Sequence, residues 1–342
     1  MSLDLALSPA AADATTTALA RTDPDARPVV SVVIVSYNTR QMTLDCLRAL
    51  RADLGDLPAE VFVVDNASTD DSPAAVAAED PAVRVIANPA NVGFGAANNQ
   101  AMRLARGQFI LLLNSDAFPR PGATAALVDY LAAHPGVGVV GPKLLNADGS
   151  TQQSCYRFPT PGQCWRENLW LGGLLRRHPR LGDYRYWAHD AERDVDWIVG
   201  ACMLLRREVF ERAGGFDEAF FMYAEETDWQ RRIRDAGWRI AFTPAVQVTH
   251  LGGASGARDK AKVNRHFFDS LDRYERKHHG RLGLIALRAA MVLGCSVRGL
   301  GWGAVSLLAP RRERRQHARA KARMHGWLFV RQLTHWRRQG GR

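Results

Sequence analysis

The sequence of 342 residues is poor in cysteine, almost without acid at its C-terminal end, and has no long uncharged apolar run. Its five cysteines, at 46, 155, 164, 202 and 295, include no Cys-x-x-Cys pair, which excludes zinc-finger and thioredoxin-type motifs. An odd count without a framework implies reduced thiols and a cytosolic compartment. The first basic residue is Arg21, so no charged segment precedes an apolar core and no secretory signal is expected. No internal repeat is visible. No Gly-x-Gly-x-x-Gly follows the first apolar run, where Ser36-Tyr37-Asn38-Thr39-Arg40 stands instead, and this argues against a nicotinamide-dependent oxidoreductase. The most apolar stretch, 282–309, is cut by Arg288 and Arg298, leaving uncharged runs of 9 and 11 residues between and after them. A spanning helix needs about 20, and an arginine at the bilayer centre costs roughly 2.5–3.5 kcal/mol. One or two helices lying in a membrane interface, or docked on the rest of the chain, are expected there.

What is present is ordinary in bulk and uneven in distribution. With 46% hydrophobic and 23% charged residues, the composition is that of a folded soluble chain, long enough for a large domain and an appendage. Residues 1–256 carry 24 basic and 30 acidic side chains, residues 257–310 carry 10 and 4, and residues 311–342 carry 11 and 1. The basic end suits an anionic partner, and membrane headgroups are favoured over nucleic acid. The sequence holds no nucleic-acid motif, and its aromatics do not interleave with the charge. Trp302, Trp327 and Trp336 would add interfacial anchoring.

Residues 1–28 read as a flexible leader. From Val29 strands alternate with helices: strands at 29–35, 60–64, 83–86, 108–113 and 137–140, helices at 40–54, 72–79, 96–105 and about 122–133. This order implies an α/β fold with a mostly parallel central sheet and helices on both faces. Further on, the pattern is less regular until 195–205; then 225–236 reads as a helix with an Asp228–Arg232 ion pair, and 239–243 and 246–249 as strands. Ligands bind beyond the carboxyl ends of parallel strands. Those ends are polar here: Ser36-Tyr37-Asn38, Asp65-Asn66, Asn88 through Gly95, and Asn114-Ser115-Asp116.

Seven motifs in order resemble family 2 glycosyltransferases of the rhamnosyltransferase-like branch. They are Val-Ser-Tyr-Asn (35–38), Val-Asp-Asn-Ala-Ser-Thr-Asp (64–70), Asn-Val-Gly-Phe-Gly (91–95) with Asn98-Asn99, Leu-Asn-Ser-Asp (113–116), Gly-Gly-Phe-Asp (214–217), Phe-Met-Tyr-Ala-Glu-Glu-Thr-Asp (221–228) and Thr-His-Leu-Gly-Gly (249–253). The resemblance spans 29–256. It implies a GT-A nucleotide-diphospho-sugar transferase fold, a nucleotide-sugar donor, a divalent metal (Mg²⁺ or Mn²⁺) and inverting transfer. Residues 257–342 would then be a basic, partly apolar helical extension that associates with a membrane.

On that resemblance the residues take roles. Ser36, Tyr37, Asn38, Asp65, Asn91, Gly93, Asn98, Asn114 and Ser115 would bind the nucleotide-sugar. Asp65 is suited to accept a pyrimidine N–H, with a turn cap on Thr69 or Asp70 as the alternative. Asn91 and Gly93 either admit the donor or form an ordinary loop before a helix. Asn114-Ser115-Asp116 stands where the family carries Asp-x-Asp, so one carboxylate is replaced and Asp116 would be the main metal ligand, with His250 a further ligand or a diphosphate contact. Glu226 matches the family's general base and Glu225 is the second choice; the alternative is a solvated acidic helix start. Trp197 and Trp229 are assigned to walls or core, with stacking on a sugar the alternative that the resemblance allows. The expected activity is metal-dependent transfer of a sugar, with L-rhamnose from dTDP-rhamnose first, to a lipid-linked or polysaccharide acceptor at the inner face of a membrane. The alternative is a catalytically degenerate scaffold that holds the nucleotide-sugar, which the Asn114 and Glu226 departures leave open.

Overall fold

The computed structural model describes residues 27–168, 187–252 and 260–334. The leader up to residue 26 and Trp336 lie outside them. The chain opens with β1 (Val30–Ser36), α1 (Arg40–Leu54), β2 (Ala59–Asp65), α2 (Ser72–Glu79), β3 (Arg84–Ala87), α3 (Phe94–Leu104) and β4 (Phe109–Asn114). The four strands are parallel in the order β3-β2-β1-β4. The valine, isoleucine and leucine runs of β1, β2 and β4 are buried on both faces, as a doubly covered parallel sheet requires, while the edge strand β3 is partly exposed.

The sheet continues through β5 (Ala117–Pro119), α4 (Ala123–Ala133) and β6 (Val137–Leu145). Short pieces follow: β7 (Thr151–Gln152), β8 (Cys155–Tyr156), α5 (Pro161–Asn168), β9 (Arg193–Asp194) and β10 (Trp197–Ile198). Then come β11 (Cys202–Arg206), α6 (Arg207–Ala213), α7 (Glu225–Asp235) and β12 (Arg239–His250). The full path is β3-β2-β1-β4-β11-β6-β12-β5, with β11 antiparallel to both neighbours and β12 parallel to β6. The run 195–205 holds two strands: β10 pairs with β8 in a separate ribbon while β11 joins the main sheet. One reading is corrected. The pieces at 239–243 and 246–249 are one strand whose register slips between Thr243 and Gln247, around Pro244, which has no N–H to donate.

Each face of the sheet carries its own core. Leu44, Leu47, Leu50 and Leu54 of α1, Val76 of α2 and Leu127 of α4 cover one side. Ala97, Ala101 and Met102 of α3 cover the other with Trp229 and Ile233 of α7. Trp229 is fully buried and donates Nε1–H to the Gly214 carbonyl at 2.6 Å, so it is a core residue.

The extension is α8 (Lys260–Leu308), bent at Gly280, and α9 (Arg312–Thr334), which packs back along it. Gly280 has φ +68°, a conformation that favours glycine and breaks the helical ladder. Within α8, Arg265–Leu308 is long and apolar enough to cross a membrane by length and composition. Two features tie it to protein instead. It packs on α5, where Arg298 donates to Asn168 Oδ1 at 2.9 Å. Arg288 turns inward to a buried pair with Asp272 at 2.9 Å. Leu282, Leu300, Leu307, Leu308 and Trp327 face outward.

Candidate active site

Register aligns the polar strand ends. Ser36 pairs with Asp65 across β1 and β2, and Val35 with Asn114 across β1 and β4. The polar residues after each buried run therefore leave the sheet along one edge.

Asp116 and His250 are brought together by a strand that the sequence did not announce. β5 begins one residue after Asp116 and pairs antiparallel with the end of β12, His250 opposite Ala117. Leu251 N–H donates to the Asp116 carbonyl at 3.1 Å and locks the join. His250 Nε2 then lies 3.3 Å from Asp116 Oδ1. On the other side of the ring Nδ1 is 2.6 Å from Gln152 Oε1, while Gln152 Nε2 donates to the His250 carbonyl and to Asn146 Oδ1. An amide oxygen only accepts, so Nδ1 carries a hydrogen, and Nε2 faces the carboxylate. Two electron-rich atoms at this distance call for a proton or a cation between them. The pair suits a hard divalent ion that takes its remaining ligands from phosphate oxygens and water. Among the described residues no third His, Cys, Asp or Glu completes a metal-holding cluster. Asn114 Nδ2 approaches His250 Nε2 at 3.5 Å.

The opposite wall is the start of α7. Tyr223 and Ala224 both have positive φ, +70° and +61°, in the turn that feeds the helix. Non-glycine residues in this region store strain of roughly 1–3 kcal/mol each. The turn aims Glu225 and Glu226 inward. Each has an Oε2 that is buried without a hydrogen-bond partner. Burial, and for Glu225 the adjacent Glu226, pushes both carboxyls above the ordinary range. Glu225 is only 4% exposed, so this is no solvated helix start. Asp228, two residues on, is different: it is fully buried but meets Arg232 Nε at 3.1 Å, Lys277 Nζ at 2.9 Å and His278 Nε2 at 2.8 Å. The expected Asp228–Arg232 pair is present, joined by two partners from α8.

A cavity of about 260 Å³ lies between these walls. It is lined by Tyr37, Asn91, Asn114, Ser115, Asp116, Glu225, Glu226 and His250, eight of the residues singled out in the sequence. The other five stand behind its lining. Ser36 is fully buried and shares its hydroxyl with Thr39 and Thr43. Asn38 Oδ1 accepts from Thr69 N–H and its hydroxyl, bracing the loop after β2. Asn98 donates to the Phe94 carbonyl of its own helix. Gly93, at φ +90°, is required by packing: a Cβ there would lie 2.4 Å from the Phe221 carbonyl oxygen. Asp65 accepts its turn bond from Ser68 N–H at 2.8 Å, not from Thr69 or Asp70, and keeps Oδ1 buried and without a partner. Sequence reasoning missed Gln152, which orients His250 from a segment with no motif, and Asn66, Val199, Gly200 and Tyr223 in the lining.

Fold and site together define a transferase of the GT-A glycosyltransferase class. A mannosyltransferase of Pyrobaculum calidifontis, solved with GDP-Man and Mn²⁺, superposes with a TM-score of 0.53 at 22% identity over 91% of this chain and 89% of its own. GalNAc-T7, solved with UDP, GalNAc and Mn²⁺, gives 0.51 at 17% identity over 73% and 48%. The glycosyl transferase family 2 model matches residues 31–214, and the chain belongs to that family. It is 33% identical to the N-acetylglucosaminyl-diphospho-decaprenol L-rhamnosyltransferase of Mycobacterium tuberculosis over 245 residues, 68% of this chain and 79% of the relative. It is also 36% identical to the rhamnosyltransferase WbbL of Escherichia coli over 80 residues, 23% of this chain and 30% of that one.

Proposed function

We propose that this chain is an inverting glycosyltransferase that moves a sugar, L-rhamnose from dTDP-rhamnose first, to a lipid-linked saccharide in cell-wall or surface-glycan synthesis. The observation that carries the reading is the pair of unpartnered glutamates facing Asp116 and His250 across one cavity. The mycobacterial relative, named for rhamnosyl transfer to a diphospho-decaprenol saccharide, supports the substrate class.

In this reading the nucleotide lies along the polar strand ends. Asp65 Oδ1 accepts the pyrimidine N–H, and Tyr37, Asn91, Asn114 and Ser115 border the nucleoside and diphosphate. Asp116 and His250 would hold a divalent cation, which would supply compensation for the charge of the leaving diphosphate. Glu226 accepts the proton of the acceptor hydroxyl as its oxygen forms a bond to the anomeric carbon and the bond to the diphosphate oxygen breaks. One displacement inverts the anomeric centre. The raised Glu226 pKa makes it a stronger base than a free carboxylate. Glutamate is a methylene longer than the aspartate common in this place, and the turn at Tyr223 and Ala224 sets where it ends. Residues 29–256 are the catalytic unit, and 257–342 hold it at the anionic cytoplasmic face of the membrane.

The test is a donor screen with purified protein, Mg²⁺ or Mn²⁺ and a lipid-linked acceptor extract, following nucleoside-diphosphate release from dTDP-, UDP- and GDP-sugars. Release from one donor, lost in Glu226→Gln and Asp116→Ala, supports the reading. Nucleotide binding without release from any donor would favour the scaffold, and the absence of both would remove the nucleotide-sugar reading altogether.

A further inference from the structure

Glu226 has a second chamber on its other side. A cavity of about 440 Å³ shares Val199, Tyr223 and Glu226 with the first and contains neither Asp116 nor His250. Its walls differ in chemistry. One is a flat aromatic pair: Tyr156 and Trp197 stack with ring centroids 4.7 Å apart and planes 19° apart. The β8–β10 ribbon fixes both, and Trp197 Nε1–H donates to the Arg157 carbonyl at 2.9 Å. A second wall, from α5, is polar, with Gln163 donating to Glu167 at 3.2 Å. The third comes from the extension, with Phe267, Leu271 and Leu287 of α8 apolar and Glu275 of the same helix the one acid beside them. The same helix continues outward to exposed Leu282 and Leu300.

Building on the transfer reaction above, we propose that this cavity is the acceptor site and that α8 is part of it. A base must reach the acceptor hydroxyl on one side and face the donor on the other, and Glu226 is the one carboxylate common to both chambers. An aromatic platform, a hydrogen-bonding edge and an apolar wall together match a saccharide joined to an aliphatic chain. The sugar lies on Tyr156 and Trp197, and the chain runs out along α8 toward the exposed leucines. α8 is also fastened to the base-bearing turn: Ser270 Oγ–H donates to the Met222 carbonyl at 2.8 Å, and Lys277 and His278 hold Asp228. The apolar wall and the base are thus held in one register.

The experiment compares the full chain with Trp197→Ala, Trp197→Phe and Leu271→Gln. The acceptors are GlcNAc-diphospho-decaprenol and GlcNAc-diphospho-octyl, and equilibrium acceptor binding in detergent and nucleotide calorimetry are measured alongside transfer. Trp197→Ala is expected to raise KM for both acceptors about tenfold, the scale of a lost aromatic contact, with Phe restoring most of it. Leu271→Gln is expected to raise KM about threefold for the decaprenol acceptor alone, the scale of a few buried methylenes partly exposed. Nucleotide affinity should stay at the wild-type value in all three, which also reports folding. Acceptor KM unchanged in Trp197→Ala, or a loss confined to nucleotide affinity, would overturn the site. Acceptor binding that needs Trp197 but leads to no transfer would keep the site and sink the reaction. Neither binding nor transfer by the wild-type chain would sink both.

Discussion

The first turn of α7 carries three acids that are treated in opposite ways. Asp228 is fully buried and ringed by Arg232, Lys277 and His278. Burial alone would raise its pKa, but hydrogen bonds from His278 and Lys277 and the charges of Lys277 and Arg232 hold it below the ordinary carboxylate range. Glu225 and Glu226 are given no hydrogen-bond partner for their buried Oε2 atoms. Three of the helix's acids sit within four residues, so the helix dipole acts on all of them alike and cannot explain the contrast. What differs is the neighbour: α8 supplies Asp228, while the glutamates face the cavity. Asp228 fastens the structure, and in the proposed reaction the two glutamates serve the chemistry at a cost in stability.

The contrast can be broken from either side. The largest effect is expected from Glu226→Gln, which keeps the shape and removes the base: transfer should fall by about three orders of magnitude while nucleotide binding persists. A fall below tenfold would move the base elsewhere on the turn. Asp228→Ala should instead cost about 3–5 kcal/mol of folding stability, because Arg232, Lys277 and His278 lose a buried partner. Urea unfolding at neutral pH measures it, and a loss under 1 kcal/mol would deny Asp228 its fastening role. Glu225→Gln should do the reverse. Its folded pKa is raised, so the folded protein holds this proton more tightly than the unfolded chain does. The group then favours folding below the ordinary carboxylate range and opposes it as pH rises toward the raised value. Replacing it should stabilise the protein by about 1–2 kcal/mol near pH 7, with the gain fading toward about pH 4. A gain independent of pH would mean that packing, not ionisation, is responsible.

Much of the nucleotide side was legible because it is local. Each strand of the first half ends in its own polar residues, and parallel pairing in near register is enough to collect Tyr37, Asn114, Ser115 and Asp116 at one edge. Helix α1 could be read to the residue from four leucines at helical spacing. Side-chain detail was less legible. Ser36, Asn38 and Asn98 sit in the right motifs, yet their polar atoms are taken by neighbours, and no spacing reveals which partner wins. The α8 contacts on Asp228 were hidden for a different reason. They join residues about fifty positions apart through a buried charge, and no periodicity encodes such a pairing. Gln152 and the Tyr156–Trp197 stack lie in stretches with no motif and become meaningful only once β7, β8 and β10 are in place.

The join of β5 to β12 also sets an order in time. Asp116 is laid down with the first four parallel strands, but its partner is the final residue of the last strand of the sheet. A nascent chain that has completed only the nucleotide-side strands owns one half of the Asp116–His250 pair. Domains form from the N-terminus during synthesis, and long-range pairings close late because their loop entropy is largest. Pairing of these two side chains therefore requires a chain made as far as residue 250, and one stalled before β12 has no means of making it.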